Sequence, residues 1–380
     1  MKHLVFCLLA VVMLLSSCGQ RRAGQVAFYD ENPDSVMTLY YARGFEVSYF
    51  SGYTRVQVFN PWADKEVMAR YYLYREDNVS LPKDGQAIRI PLNSLAIASC
   101  THVAFLHLLD ELELVKGLCN ASMVYNPRLK QAIEEGEVAD LGDFFQINRE
   151  KLLHIRPQAL MASGRNQYDE QLGAISRAGV PVIYNNEWME QNLLGRAEWL
   201  RFVACFLDKE SLADSLFRQT AANYLRLKEL AAQAQSPNPV IMSGDNFRGS
   251  WYMPGGRNHQ AQLFRDAGAS YFFENDSTTG SIACSFEQVV RDFNQADIWI
   301  GASNARSLSA LLALDERYAW FRSVQNKRVY AYQGRLAAGG ANDYWESAVA
   351  HPDSLLADFI KLFHPELLPG HEWIYINQLQ

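Results

Sequence analysis

The side chains in this chain whose types and spacing could do chemistry are aromatic and basic rather than nucleophilic. The sequence contains no Gly-x-Ser-x-Gly elbow, no phosphate-binding loop and no His-Glu-x-x-His pair. His102 and His107 are five residues apart, a spacing that does not place both on one helical face. Local spacing therefore assembles neither a nucleophile with its base nor a metal cluster, and we expect no enzymatic activity and no metal site.

Four loops that follow predicted strands, 98–102, 163–168, 244–259 and 333–345, carry most of the aromatic and basic side chains. Such loops line the crevice in which α/β proteins bind ligands. Aromatic rings suit flat, partly apolar faces, and arginines suit anionic groups. The segment after strand 180–184 adds one more tryptophan. The candidate ligand-binding residues are His102, Arg165, Tyr168, Trp188, Trp251, Tyr252, Arg257, Arg335, Tyr344 and Trp345.

Each candidate has a second interpretation as a packing residue. Trp251 is our first choice for ligand contact because it lies in a Gly-rich segment, where a core residue is less expected. His102 fits a helix start or core packing, with axial coordination of a bound metal as the alternative. Tyr344 and Trp345 follow Gly339-Gly340, which suits a flexible rim, but helix packing would explain them equally.

Short apolar strands that alternate with amphipathic helices must position these loops. A β-rich start at 45–90 precedes the first run of alternation, which predicts parallel sheets covered by helices. Residues 211–234 have helical spacing without Gly or Pro and would extend roughly 36 Å. We predict an N-terminal lobe over 37–210, a connecting helix over 211–235 and a C-terminal lobe over 236–380. A long surface helix within a single domain is the alternative.

The first residues have the layout of a secretory signal. Lys2 precedes an apolar run from Leu4 to Leu15, which is too short to span a bilayer. Cys18 follows two serines at the cleavage position, which resembles the lipobox of bacterial lipoproteins. We predict a signal peptide over 1–17, lipidation at Cys18 and a tether over 18–36. An ordinary secretory signal with an incidental cysteine is the alternative.

The composition is that of a globular protein. Apolar residues make up 49% of the 380 residues, charged residues 20%, and the net charge is −7, so we expect no nucleic acid partner. Four cysteines follow Cys18, and their spacing matches no zinc or iron–sulfur pattern. We predict that they are small core residues, with a Cys100–Cys119 disulfide left open.

Several short segments follow one another in a fixed order over about residues 88–365. They include Ser99-Cys100-Thr101-His102, Ala178-Gly179-Val180-Pro181, Gly195-Arg196-Ala197-Glu198-Trp199 and Asp266-Ala267-Gly268-Ala269. Each is weak alone, but their order and spacing together resemble the periplasmic solute-binding lipoproteins of ABC importers for iron–siderophore complexes, heme and vitamin B12.

The resemblance implies an α/β fold of two lobes with mainly parallel sheets, joined by one long helix, with the ligand in the cleft between the lobes. It implies a protein held in the periplasm by its lipid, which captures a metal chelate and passes it to an ABC transporter permease. The chelate would be the ligand, and no cofactor is expected.

Two other functions remain open at this point. A free-metal binder or chelate-handling protein on the same fold would need a cluster such as His102 with His259 or Glu187. A surface lipoprotein could use the cleft for protein or glycan partners.

Overall fold

The computed structural model describes four stretches of the chain, namely residues 32–63, 66–166, 169–302 and 305–380. The predicted signal peptide, Cys18, most of the tether and Tyr168 lie outside the described residues. No helix in these stretches has the length and apolar character needed to cross a membrane.

An N-terminal sheet of five strands comes first in the described chain. Its strands are β1 (Ser35–Val36), β2 (Phe45–Phe50), β3 (Tyr53–Phe59), β4 (Val67–Tyr74) and β5 (Gln86–Arg89). They pair in chain order, antiparallel except for β4 with β5. Buried and half-buried residues alternate along β3, the period expected for a strand with one face in the core. Within the predicted β-rich start, β2 and β3 form a hairpin with Gly52 in its turn at φ 93°.

The first lobe is built on a parallel sheet of the order β10-β9-β6-β7-β8. Its strands are β6 (Leu95–Ile97), β7 (Val115–Leu118), β8 (Ala139–Asp140), β9 (Ala159–Ala162) and β10 (Val182–Tyr184). Its helices are α1 (Cys100–Leu108), α2 (Pro127–Glu134), α3 (Arg149–Ile155), α4 (Glu170–Arg177) and α5 (Leu193–Cys205). Every residue of β9 is buried, as expected for a strand covered by helices on both faces.

A 22-residue helix, α6 (Glu210–Ala231), follows the first lobe. Its buried residues recur every three or four positions and form one apolar stripe. Ala213 packs in the core of the first lobe, whereas Phe217 and Tyr224 pack in the core of the second. The helix is thus shared by both cores, and it ends at Ala231 rather than at the predicted residue 235.

The second lobe carries a sheet of the order β14-β11-β16-β17-β18, parallel except for β18. Its strands are β11 (Val240–Ser243), β14 (Ser270–Tyr271), β16 (Ile298–Ile300), β17 (Val329–Ala331) and β18 (Asn377–Gln378). Its helices are α7 (His259–Asp266), α8 (Phe286–Phe293), α9 (Leu308–Leu314), α10 (Arg322–Gln325) and α11 (Pro352–Phe363). The predicted α/β class with mainly parallel sheets is confirmed, while the lobe limits at 37, 210 and 236 stay predictions.

The segment 244–259 is not the open binding loop that the sequence predicted. It contains β12 (Asn246–Phe247) and β13 (Ser250–Pro254), which form an antiparallel sheet with β15 (Ser281–Cys284). Arg248 and Gly249 have φ values of 54° and 90°, which suits the two-residue turn of a tight hairpin. Gly249 therefore serves a turn between strands rather than a flexible loop.

The buried carboxylate of Glu198 binds the start of the described chain to α5. Glu198 is fully buried and accepts hydrogen bonds from the backbone N–H groups of Tyr40, Tyr41 and Ala42. Arg201 neutralises it at 3.0 Å. The carboxylate of Glu198 therefore attaches the N-terminal segment to α5.

The four cysteines in the described chain are free thiols, so Cys100 and Cys119 form no disulfide. Cys119, Cys205 and Cys284 are buried, which confirms them as small core residues, whereas Cys100 is partly exposed.

Candidate ligand-binding site

A cleft of about 480 Å³ lies where the carboxyl ends of the first-lobe strands meet the second lobe. Its first-lobe wall comes from the residues directly after β6, β7, β9 and β10, and its second-lobe wall includes Asn342 and Trp345. Because parallel strands end at one edge of a sheet, four separate loops converge here. The volume and the mixed lining are typical of a small-molecule site.

Aromatic side chains from both lobes form the walls of the cleft. Trp188 lies on the short helical turn after β10 and is 42% exposed, and Trp345 of the second lobe is 59% exposed. Phe144 and Met123 add apolar surface on the first-lobe side. Large exposed aromatic faces contributed by both lobes suit a flat ligand inserted between the lobes. Trp188 and Trp345, both predicted from the sequence, thus lie in the same cleft.

Arg165 brings positive charge to the first-lobe wall. Its guanidinium pairs with Asp169 through two hydrogen bonds of 2.9 and 3.2 Å. It lies over the rings of Phe144 and Phe145, 5.1 and 5.3 Å from their centroids. Asp169 also caps α4 through the backbone N–H of Leu172. The guanidinium is therefore held in place by a helix cap while its free edge remains available to an anionic group.

Arg196 forms the floor of the cleft and links it to the second lobe. It is the one residue of α5 that is not buried. It pairs with Glu187 at 2.8 Å, and its Nη1 lies 3.2 Å from Nε2 of His259 in α7. Burial, and after it the charge of Arg196, lowers the pKa of His259 to about 3, so this imidazole is neutral.

A smaller cavity of about 60 Å³ adjoins the floor and shares Thr101, Arg196 and Trp345 with the main cleft. Tyr344 lines it and stacks on Tyr332 with ring centroids 4.2 Å apart. The predicted Tyr344 thus lies at the back of the cleft rather than on its rim.

His102 lies beneath the cleft and not in it. Its side chain is fully buried, and Nε2 is 3.4 Å from Oγ of Ser163, which does line the cleft. Burial lowers the pKa of His102 to about 4. The packing interpretation therefore applies, and axial coordination of a ligand by His102 is not compatible with this position.

The thiol of Cys100 lines the cleft but is a poor nucleophile. Burial, and secondarily the charge of Glu346, raises its pKa to about 12. A thiol that stays protonated at neutral pH has little reactivity.

The other predicted residues are not brought into the cleft. Trp251 is buried in the second-lobe core, and the interpretation of it as a ligand contact is wrong, since alternation along β13 turns it inward. Tyr252, its neighbour, is 45% exposed and lines neither part of the cleft. Arg335 pairs with Asp343 at 3.1 Å beside the cleft. Arg257 lines a different cavity, considered below.

Sequence reasoning missed Arg196 as the floor of the cleft. Arg196 lies on a helix, whereas the predicted ligand contacts all lie in segments that follow strands. A signal was present, because an arginine interrupts the apolar residues that begin α5. No group of three His, Cys, Asp or Glu side chains within the described stretches is arranged to hold a metal ion. Glu187, named for such a cluster, is paired with Arg196.

Glu346 joins the two lobes directly. This buried second-lobe carboxylate accepts hydrogen bonds of 2.7 and 2.9 Å from the backbone N–H groups of Tyr125 and Asn126. Asn126 is the cap of α2, so the carboxylate lies at the positive end of that helix. Burial, the larger effect, still raises the pKa of Glu346 to about 7.

The raised pKa of Glu346 makes the free energy of unfolding depend on pH. The folded state holds the Glu346 proton more tightly than the unfolded chain, in which the ordinary pKa of 4.5 applies. The contribution of Glu346 to the free energy of unfolding therefore falls as the pH rises from 4.5 to 7. We expect the free energy of unfolding of the wild type, relative to Glu346→Gln, to decrease by about 2–3 kcal/mol from pH 4.5 to 8.

Denaturant titrations of both proteins at half-unit pH steps measure this difference. The buried histidines titrate in both proteins, so their contributions cancel. A difference that does not change with pH would contradict the interpretation of Glu346 as a buried, proton-binding link.

Comparisons with known proteins agree with this architecture. A family model described as a periplasmic binding protein matches residues 100–336. An uncharacterized lipoprotein of Methanocaldococcus jannaschii is 24% identical over 294 residues, which cover 76% of this chain and 69% of that protein.

Among solved structures, a periplasmic heme-binding protein from Pseudomonas aeruginosa superposes with a TM-score of 0.58 at 16% identity. The match covers 76% of this chain and 98% of that one. The periplasmic heme-binding protein RhuT from Roseiflexus gives a TM-score of 0.57 at 18% identity, with coverage of 72% and 99%. At these identities the likeness concerns the fold.

Proposed function

Since the chain belongs to the periplasmic binding protein family, we propose that it captures a metal chelate between its two lobes and delivers it to an ABC transporter permease. Members of this family are solute-binding proteins rather than enzymes, and they work with such permeases. The chelate we propose is a ferric siderophore, heme or cobalamin.

The observation that carries this proposal is the pair of exposed tryptophans facing one cleft from different lobes. Trp188 and Trp345 offer two aromatic faces to a flat ligand, and the guanidinium of Arg165 lines the same cleft. Metal chelates combine flat, partly apolar faces with peripheral anionic groups, so this lining matches their chemistry. Two proteins of similar fold bind heme, which is consistent with a metal chelate as the ligand.

The proposed location is the periplasm, with a lipid on Cys18 as the membrane anchor. Support comes from the signal-like start of the sequence and from relatives that are named lipoproteins. The anchor would keep the binding lobes near a permease in the same membrane. One lipid-bearing residue with several acyl chains is enough for stable attachment.

The test begins with the full-length protein expressed in a Gram-negative host. We expect it in the membrane fraction, from which detergent releases it. Isothermal titration with heme, cobalamin and a ferric siderophore should then give one-to-one binding of at least one of them, with micromolar or tighter affinity. Trp188→Ala/Trp345→Ala should weaken that binding at least ten-fold, because aromatic anchors contribute about 2 kcal/mol or more at a binding site.

Trp320→Ala is the matched control, since this tryptophan is 57% exposed but lines no part of the cleft. It should bind like the wild type. The absence of binding to all three chelates at micromolar protein would argue against the proposed ligand class. Recovery of the protein only in the soluble fraction would argue against the anchor.

A further inference from the structure

A second cavity, of about 1020 Å³, lies between the N-terminal sheet and the second lobe. It has no lining residue in common with the cleft. Arg43 and Trp62 come from the N-terminal segment, and Arg257, Gln262 and Arg265 come from the second lobe. The N-terminal segment precedes the matched family region, which begins at residue 100. One wall of this cavity therefore lies outside the part of the chain that the family model matches.

The arginines of this second cavity lack acidic partners. Arg43 and Arg257 are exposed, and neither forms an ion pair with any described residue. Arg265 donates to the backbone carbonyls of Gly256 and Glu274 and to no carboxylate among the residues described. Three guanidinium groups thus face one space without a counter-ion from the described chain.

The two acidic groups that line the cavity are already engaged. Glu190 accepts hydrogen bonds from the backbone N–H groups of Arg43 and Gly44 and from the indole of Trp199. Asp266 is held by Lys228 at 2.8 Å and by the hydroxyl of Tyr224. The donors to Glu190 are uncharged, so its charge remains. The lining nevertheless carries four cationic side chains, Lys228 among them, against these two carboxylates, and this positive excess favours an anion.

A buried hydrogen-bond acceptor beside the second cavity indicates that a ligand there would also carry a donor. The Oε1 atom of Gln262 is buried and has no hydrogen-bond partner within the described chain. A buried acceptor left without a donor is costly, and a donor on a ligand would satisfy it. Trp62 lines the same cavity and offers an aromatic face.

We propose that this cavity is a second binding site, which takes an aromatic anion that carries a hydrogen-bond donor. The anionic group pairs with Arg43 and Arg257, the donor binds Oε1 of Gln262, and the ring packs on Trp62. Because the arginines belong to different walls, the bound anion also bridges the N-terminal sheet and the second lobe. The proposal does not depend on the ligand of the cleft.

The probe is 8-anilinonaphthalene-1-sulfonate, an aromatic sulfonate with one N–H donor and a fluorescence signal on binding. The wild type should bind it at one saturable site, and added salt should weaken the binding. Arg43→Gln/Arg257→Gln should weaken it at least ten-fold, and Gln262→Leu several-fold. The control Arg226→Gln/Arg306→Gln removes two exposed arginines outside the cavity and should leave binding unchanged.

Since Arg43 and Arg257 are exposed, the double variant should melt at the temperature of the wild type, which thermal unfolding checks. Equal affinity in the wild type and Arg43→Gln/Arg257→Gln would overturn the proposal. So would loss of probe binding in Trp345→Ala, because the probe would then occupy the cleft. Trp188 is left in place in this test because its ring contacts that of Trp62, with centroids 6.5 Å apart. Retention of the probe in that variant supports a separate site.

Discussion

Arg196→Met is expected to lower the free energy of unfolding by about 3–5 kcal/mol, because it leaves a buried carboxylate without its partner. The side chain of Glu187 is only 1% exposed and relies on Arg196 at 2.8 Å. The substitution also removes the positive charge beside His259. The pKa of that imidazole, held at about 3 by burial and by Arg196, should therefore rise. Denaturant unfolding measures the first effect, and a histidine titration by NMR measures the second.

Glu187→Gln/Arg196→Met is the matched control, since it removes both charges of the pair. It should recover a large part of the lost stability, because no unpaired buried charge remains. A loss below about 1 kcal/mol in Arg196→Met would mean that Glu187 finds another partner or reaches water. In that case Arg196 would be a surface residue of the cleft rather than its structural floor.

Trp251→Ala is expected to cost about 3–5 kcal/mol of stability, the range for truncating a large aromatic residue in a core. Its ring lies 5.2 Å from that of Trp299 and 5.9 Å from those of Tyr318 and Phe321. Its indole N–H donates to the carbonyl of Ser243 at 2.9 Å. Chemical denaturation of the variant gives this loss directly.

Trp345→Ala and Trp251→Ala together distinguish a tryptophan that contacts the ligand from one that packs in the core. This tryptophan is 59% exposed, so its removal should change the stability by no more than about 0.5 kcal/mol while it weakens chelate binding. Trp251→Ala should show the reverse, with cleft affinity kept at temperatures where it is folded. If Trp251→Ala were stable but failed to bind a ligand, Trp251 would be a binding residue after all.

Much of the framework could be predicted from local patterns. The apolar run 160–162 predicts a buried strand, and the turn residues Ser51-Gly52-Tyr53 between 45–50 and 54–59 predict the first hairpin. The spacing in 211–234 predicts the long helix, since its buried side forms a single stripe. The segments after these strands bring Arg165 and Trp188 into one cleft, and their contact with a ligand stays a prediction.

The remaining residues depend on contacts distant in sequence. In α5, 12 of 13 residues are buried, and they include the charged Glu198 and Arg201. The arginine that interrupts the apolar start of the helix was therefore only a weak signal, since a charged residue in this helix need not be exposed. The Gly-rich segment around Trp251 suggested a residue outside the core, whereas Gly249 makes a tight turn that allows β13 to enter the core. Nor could the sequence alone show that Trp62, far upstream, faces Arg257 across a second cavity.

The state of the native thiols makes the protein suitable for single-molecule fluorescence. Burial raises the pKa of Cys119 and Cys100 to about 12, and that of Cys205 and Cys284 is raised by burial as well. Maleimide dyes react with thiolates and would therefore label an introduced surface cysteine first. A donor dye on one lobe and an acceptor on the other could thus follow the distance between the lobes while the native cysteines 100, 119, 205 and 284 stay in place.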